Sequence, residues 1–254
     1  MTGSPRRRIS KVTSDAQVAL GEVSDGATVM ISGFGRAGQP VHLIDALLST
    51  GATRLTVVSN NAGSGDTGLA ALLAAGRVRK VVCSFPRQSD SWVFDRLYRA
   101  GEVELELVPQ GTLAERIRAG GAGIGAFFTP TSVGTDLAAG KERRRFGERE
   151  YVLEMPLVAD VALVSALRAD RFGNLSYRKT GRNFGPVMAT AAAVTVAEVD
   201  SVVAAGELDP EAVVTPGVFV DHVVPVGERP WLAGGRFVGG TDAAGVRRGE
   251  GETA

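Results

Sequence analysis

"DGATVMISGFGRAGQP", residues 25–40, decides how the rest of the chain is read. "ATVMIS" reads as a strand apolar on both faces, the pattern of a sheet covered on both sides. Three glycines and a proline follow between Ser32 and Pro40. Pro40 then opens "VHLIDALLST", where Leu43, Ile44, Leu47 and Leu48 share one helical face. A strand, a glycine turn and a helix N-terminus in that order can hold an anion, because the backbone N–H groups there lack partners and the helix dipole favours negative charge. Neither common phosphate fingerprint fits. No lysine stands between Ser32 and Pro40, so there is no Walker loop. Gly33, Gly35 and Gly38 satisfy G-x-G-x-x-G literally, but the next strand closes as "VVSNN" with no acidic residue for a ribose. A structural turn, an anion cradle and a dinucleotide site all stay open on this pattern alone.

Outward from this stretch, strand and helix patterns alternate at short intervals. "SDAQVALGEV" (14–23) spaces Val18, Leu20 and Val23 as a short amphipathic helix with Ser14 or Asp15 as its N-cap. Strands are expected at 54–59, 79–85 and 103–108, with helices at 68–76, 89–101 and 112–119 between and after them. "VELELV" alternates at period two, so one of its faces is wetter. "KERRRFGEREYVLEMP" reads as a charged hairpin leading into a strand. "VALVSALRAD" and "GNLSYR" read as strands, and "GPVMATAAAVTVAEV" as a helix followed by a strand. The fold class is α/β: a single domain with an open, mixed or mostly parallel sheet and helices on both faces. That domain spans residues 10–226, between disordered tails at 1–9 and 227–254, with Trp231 a local anchor in the second.

Composition excludes several functions. Lys+Arg and Asp+Glu both number 28 in 254 residues, so no net charge favours nucleic acid. No apolar run is long enough to span a bilayer, and "MTGSPRRRISK" lacks the apolar stretch of a secretory signal; a soluble, cytoplasmic protein is expected, bound to no membrane. The single cysteine, Cys83, reads as a small buried apolar side chain, and no metal site is expected. His42 and His222 lie near no nucleophile motif and read as ordinary helix and strand residues.

The stretch at 25–40 resembles the signature of the alpha subunit of family I CoA-transferases: Asp-Gly, three apolar residues, Gly-Phe, then Gly-x-Pro. Ser32 departs from it, since the family usually carries glycine there. "VVSNNAG", "VPQGTLAERIRAGGAGIGAFFTPTSVGT", "LEMPLVADVALV", "GNLSYRKTGRNFGPVMA" and "GELDPEAVVTPGVFVDHVV" are similar to the same family, so the resemblance covers residues 10–225. "VRKVVCSFPRQSDSWVFDRLYRAGEVELE" is similar to its 3-oxoadipate branch.

The resemblance implies one half of a hetero-oligomer, paired with a beta subunit in a heterodimer or heterotetramer that acts on succinyl-CoA and a 3-oxoacid in aromatic-compound degradation. CoA thioesters would be substrates, and no cofactor is expected. It implies that a glutamate attacks the thioester to form an acyl-enzyme anhydride, and that CoA returns to give an enzyme thioester. In the family this glutamate sits in a Ser-Glu-Asn-Gly motif on the beta subunit, and the present chain has no such tetrapeptide. Glu115, beside Arg116 and Arg118, reads as a solvated ion-pair residue; Glu154 stays open.

What this chain would supply is positioning. Gln110, expected at the end of the "VELELV" strand, matches the family glutamine beside the reacting thioester, and its neutral amide can donate to a carbonyl oxygen. Ser32, Gly33, Phe34, Gly35, Arg36, Ala37 and Gly38 would line the CoA ester, with glycine letting the backbone approach closely. Asn60 and Asn61 would join them from another strand end, unless they are left-handed turn residues. "GGAGIGAFFTPTSVGT" would form a wall, and Arg87, Arg178 or Arg182 could meet a distal carboxylate. Ser32 should have negative φ, leaving the close approach to the glycines. A CoA-ester hydrolase and a non-enzymatic effector-binding protein are the competing classes.

Overall fold

Val29, Met30 and Ile31 are all fully buried, as a strand covered on both faces requires. The computed structural model describes residues 10–21, 23–88 and 90–227; the expected tail at 1–9, nearly all of that at 227–254, and Trp231 lie outside the described residues. In chain order the helices are α1 (Ala16–Leu20), α2 (Val41–Thr50), α3 (Leu69–Ala74), α4 (Trp92–Arg99), α5 (Gln110–Gly121) and α6 (Gly185–Ala189). The strands of the main sheet are β1 (Thr28–Ile31), β2 (Leu55–Val58), β3 (Val78–Cys83), β4 (Glu104–Leu107), β8 (Ala159–Asp170), β9 (Leu175–Ser176), β10 (Ala192–Val203) and β11 (His222–Pro225). Between β4 and β8 the chain forms β5 (Phe127–Thr129), β6 (Arg143–Phe146) and β7 (Arg149–Glu154).

The main sheet runs β11-β10-β8-β1-β2-β3-β4, every neighbouring pair parallel, with β9 antiparallel on β8. Alternation along β1 separates two cores. Val29 and Ile31 pack with α1, α2, α3 and α4 on one face, while Met30 packs with α5 and α6 on the other. A one-residue slip would exchange these sets, and each large side chain stabilises the fold by about 1.5–3 kcal/mol when buried. The register is therefore tightly specified. Helices on both faces of an open, mostly parallel sheet are what the alternating pattern predicts.

Four local expectations are corrected. The first helix is only Ala16–Leu20: Asp15 caps it through Gln17 and Val18, and Gly21 with φ +59° ends it. Val18, assigned to its apolar face, is 66% exposed. "GNLSYR" contributes just Leu175–Ser176, because Asp170 Oδ1 accepts from the N–H groups of Phe172 and Asn174 and turns β9 back on β8. The alternation of "VELELV" is blurred: as the sheet edge, β4 leaves Leu107 exposed while Glu106 is half-buried. The glycine-rich connection is not all loop either. Its Phe127–Thr129 pairs with β7, so the charged hairpin β6–β7 becomes a three-stranded antiparallel sheet in the order β5-β7-β6. Phe128, Phe146 and Tyr151 stack edge-to-face across it, with centroids 5.4 and 5.3 Å apart.

Candidate active site

β1 lies between β8, which arrives late in the chain, and β2, which follows it directly. In open parallel sheets a crevice opens outside the carboxyl ends at such a switch point. The segment Ser32–Gln39 leaves β1 there.

Ser32 is completely buried and has no positive φ. Its N–H donates to Leu163 O at 3.0 Å; its hydroxyl donates to Gly38 O at 2.8 Å and accepts from Ser165 N–H at 3.2 Å. The hydroxyl thus closes the base of the loop onto β8. This corrects its placement among the ligand-facing residues: Ser32 holds the loop from beneath.

Above it, Phe34 and Ala37 exchange both backbone hydrogen bonds, at 3.0 and 3.1 Å, so Gly35 and Arg36 form a tight hairpin tip. Gly33, Gly35 and Gly38 have φ of +131°, +61° and +70°, a region that side chains with a Cβ rarely adopt. Asn183 buckles the two limbs together, accepting from Gly33 N–H at 3.0 Å and donating to Ala37 O at 2.9 Å. The N–H groups of Gly33, Phe34 and Ala37 are therefore engaged inside the protein. A ligand can draw on at most those of Gly35, Arg36 and Gly38, half of the set expected from the sequence.

Asn60 and Asn61 follow β2 and are buried, and neither has positive φ, so they are not left-handed turn residues. Asn61 accepts from Gly63 N–H at 2.9 Å and lies 3.5 Å from Gly35 O, toward which its amide points. Asn60 Nδ2 donates to Ser84 Oγ at 2.9 Å and to Gln110 Oε1 at 3.3 Å. Gln110 is not the end of a strand but the first residue of α5, with an exposed side chain. Its amide oxygen is taken by Asn60, which leaves its NH2 group as the outward donor. Loop, asparagines and glutamine thus meet along one sheet edge. Beside the loop a cleft of about 410 Å³ is lined by Gly35, Arg36, Gln39, Asn61, Gln88 and Asp90 among others. A larger cleft of about 600 Å³ lies at the amino ends of the strands, between residues such as Asp25, Asp160 and His222, and contains none of the predicted site residues.

The remaining side chains separate cleanly. Arg87 is committed to Asp95, whereas Arg178 and Arg182 flank the loop-buckling Asn183. His42 lies 3.8 Å from the buried Glu198, whose carboxylate accepts from Leu43 N–H at the start of α2. Glu115 pairs on the surface with Arg118, as its spacing suggests. Glu154 is 2% exposed, accepts from Lys141 and lies 3.9 Å from Arg116, so it is a structural carboxylate. Burial pushes the Cys83 thiol up to about 12, well above the range of a reactive thiolate. The Ser84 hydroxyl is tied to Asn60 on both sides. Among the described residues no group of three His, Cys, Asp or Glu is placed to hold a metal ion. The arrangement offers neutral amide donors and a close-approach loop, with no activated nucleophile beside them. Asn183 and Ser165 escaped the sequence reading because they act on a loop about 130–150 residues away, which no local pattern announces.

The family model "Coenzyme A transferase" matches residues 13–225. The chain is 63% identical over 218 residues to the alpha-type subunit of 3-oxoadipate CoA-transferase from Pseudomonas putida, covering 86% of this chain and 94% of that one. It is 60% identical over 222 residues to the protein of the same name from Acinetobacter baylyi, covering 87% and 97%. Among solved structures, acyl-CoA transferase YdiF from Escherichia coli O157:H7, in a thioester complex with CoA, superposes with a TM-score of 0.76 at 24% identity, over 89% of this chain and 52% of that one. The last likeness is one of fold.

Proposed function

The chain belongs to the coenzyme A transferase family, and from that premise we propose that it is the alpha subunit of an enzyme moving CoA from succinyl-CoA to 3-oxoadipate. One observation supports this reading above the others. Asn60 fixes the oxygen of Gln110, so the amide NH2 faces outward at the sheet edge that carries the glycine loop. A carbonyl oxygen held there meets a donor that cannot titrate, and losing one such donor typically costs about 100- to 1,000-fold in rate.

The reacting carboxylate comes from a beta subunit, whose glutamate attacks the succinyl thioester carbon and releases CoA thiolate. The thiolate attacks the acyl carbon on the glutamate side of the anhydride, succinate leaves, and the carboxylate of 3-oxoadipate repeats the sequence in reverse. Both bacterial relatives are named as subunits, which implies a partner, and a heterodimer or heterotetramer completes the site. CoA thioesters act as substrates and no further cofactor takes part. No helix among the described residues is long and apolar enough to cross a membrane, which suits a cytoplasmic enzyme drawing on free CoA esters. Ser32 was the ground for considering a hydrolase, and its buried hydroxyl no longer supports that reading.

The test is reconstitution. The purified chain alone should give no turnover of succinyl-CoA with 3-oxoadipate, and adding the beta subunit should restore it. Turnover by the isolated chain, or a complex that hydrolyses succinyl-CoA without transferring it, would sink the proposal.

A further inference from the structure

Gln110 sits at an elbow. β4 ends at Leu107, Pro109 begins the turn without a side-chain cap, and α5 starts at Gln110 itself. An unbraced elbow could swing its first helical residue by an ångström, enough to matter for a hydrogen bond to a reacting group.

Two residues flank the elbow and meet across it. Glu106, on β4, accepts from Arg116 Nη1, on α5, at 2.7 Å through one oxygen and from Lys80 through the other. Arg116 also donates from Nε to Met155 O at 2.8 Å, and its own carbonyl accepts from Leu157 N–H at 2.8 Å. Its side chain is only 11% exposed. Arg116 therefore joins β4, α5 and the segment after β7. A planar guanidinium can serve the carboxylate and the carbonyl together from fixed directions, whereas an ammonium on a flexible stem cannot hold both in the same geometry.

We propose that Glu106 and Arg116 form a clasp across the β4–α5 elbow, and that Arg116 is a positioning residue which sets the Gln110 amide for acyl transfer. The inference rests on the function proposed above. Arg116 touches neither substrate nor reacting atoms, and it acts through the angle at which α5 leaves β4.

A double-mutant cycle in the reconstituted alpha–beta complex tests it, using Arg116→Lys and Gln110→Ala with succinyl-CoA and 3-oxoadipate. Arg116→Lys should lower kcat by about ten- to a hundredfold, the scale of an ångström's misplacement, and move KM less than about twofold. In the Gln110→Ala background the same substitution should lower kcat no further. Equal losses in both backgrounds would make Arg116 a general brace and overturn the clasp, with the proposed function intact. An unchanged kcat for Gln110→Ala alone would overturn both the clasp and the role of Gln110, while absence of transfer in the wild-type complex would overturn the function itself. Should Arg116→Lys fail to fold, Glu106→Gln provides the second variant: it keeps one oxygen acceptor and is expected to reproduce the kcat loss in the same two backgrounds.

Discussion

The Ser32 hydroxyl commits both its donor and its acceptor capacity to backbone groups, Gly38 O and Ser165 N–H. Removing it leaves both without a partner in a dry site, where an unsatisfied polar group costs about 1–3 kcal/mol. Ser32→Ala is therefore expected to lower Tm, by about 2–4 °C for each kcal/mol lost in a domain of this size. Calorimetry of the isolated chain checks this, and an unchanged Tm would show that the hydroxyl bonds contribute nothing net. This position was legible as a departure from the family glycine, and its negative φ could be argued from the strand it ends. Its direction could not, because Ser165 reaches it from 133 residues away.

At the scale of elements, the loop after β1 is held from three sides: Ser32 below, Asn183 across, and Asn61 toward its tip. Gly38 has φ +70°, and a Cβ there would collide with the backbone carbonyl of Gly181. Since backbone cannot rotate aside as a side chain can, Gly38→Ala must displace the loop. We expect kcat/KM in the reconstituted complex to fall about a hundredfold, with the far-UV circular dichroism retained. Gly26→Ala is the control. Gly26 has φ +80° but open space where its Cβ would stand, so that variant carries similar strain and should keep kcat. Full activity in Gly38→Ala would take the loop out of the active site. The sequence announced this loop, its glycines and the helix behind it. It did not announce that three of the loop's N–H groups are used internally, because backbone pairing across a hairpin tip depends on how its limbs are held.

For the whole molecule, the charges that join the two sheets make acid the natural stress. Burial alone would raise the Glu106 carboxyl, but hydrogen bonds from Lys80 and Arg116 outweigh it and hold the group below its ordinary 4.5. A carboxylate whose folded value is depressed contributes stability above its unfolded value, and that contribution fades as pH falls through the folded one. The stabilisation from Glu106 is thus complete above about 4.5 and lost below it. Glu115 is depressed as well, yet its exposed partnership with Arg118 contributes little. Urea midpoints measured from pH 7 down to pH 3 should fall less steeply below pH 4.5 for Glu106→Gln than for the wild type. Parallel acid profiles would remove Glu106 from the account.

The sequence by itself determined the order of strands and helices, the two-faced burial of β1, the place of the glycine loop, and the lack of a nucleophile motif in this half of an active site. Each of these is written locally, in apolar period, in glycine and proline, or in a contiguous motif. Tertiary structure alone decided that β8 lies beside β1, and with it that Ser165 meets Ser32 and Asn183 buckles the loop. It alone recruited Phe127–Thr129 into a second sheet and set Arg116 across from Glu106. Periodicity tells which side of a residue is dry, but not which distant residue dries it. Only the packed sheet order brings those partners together.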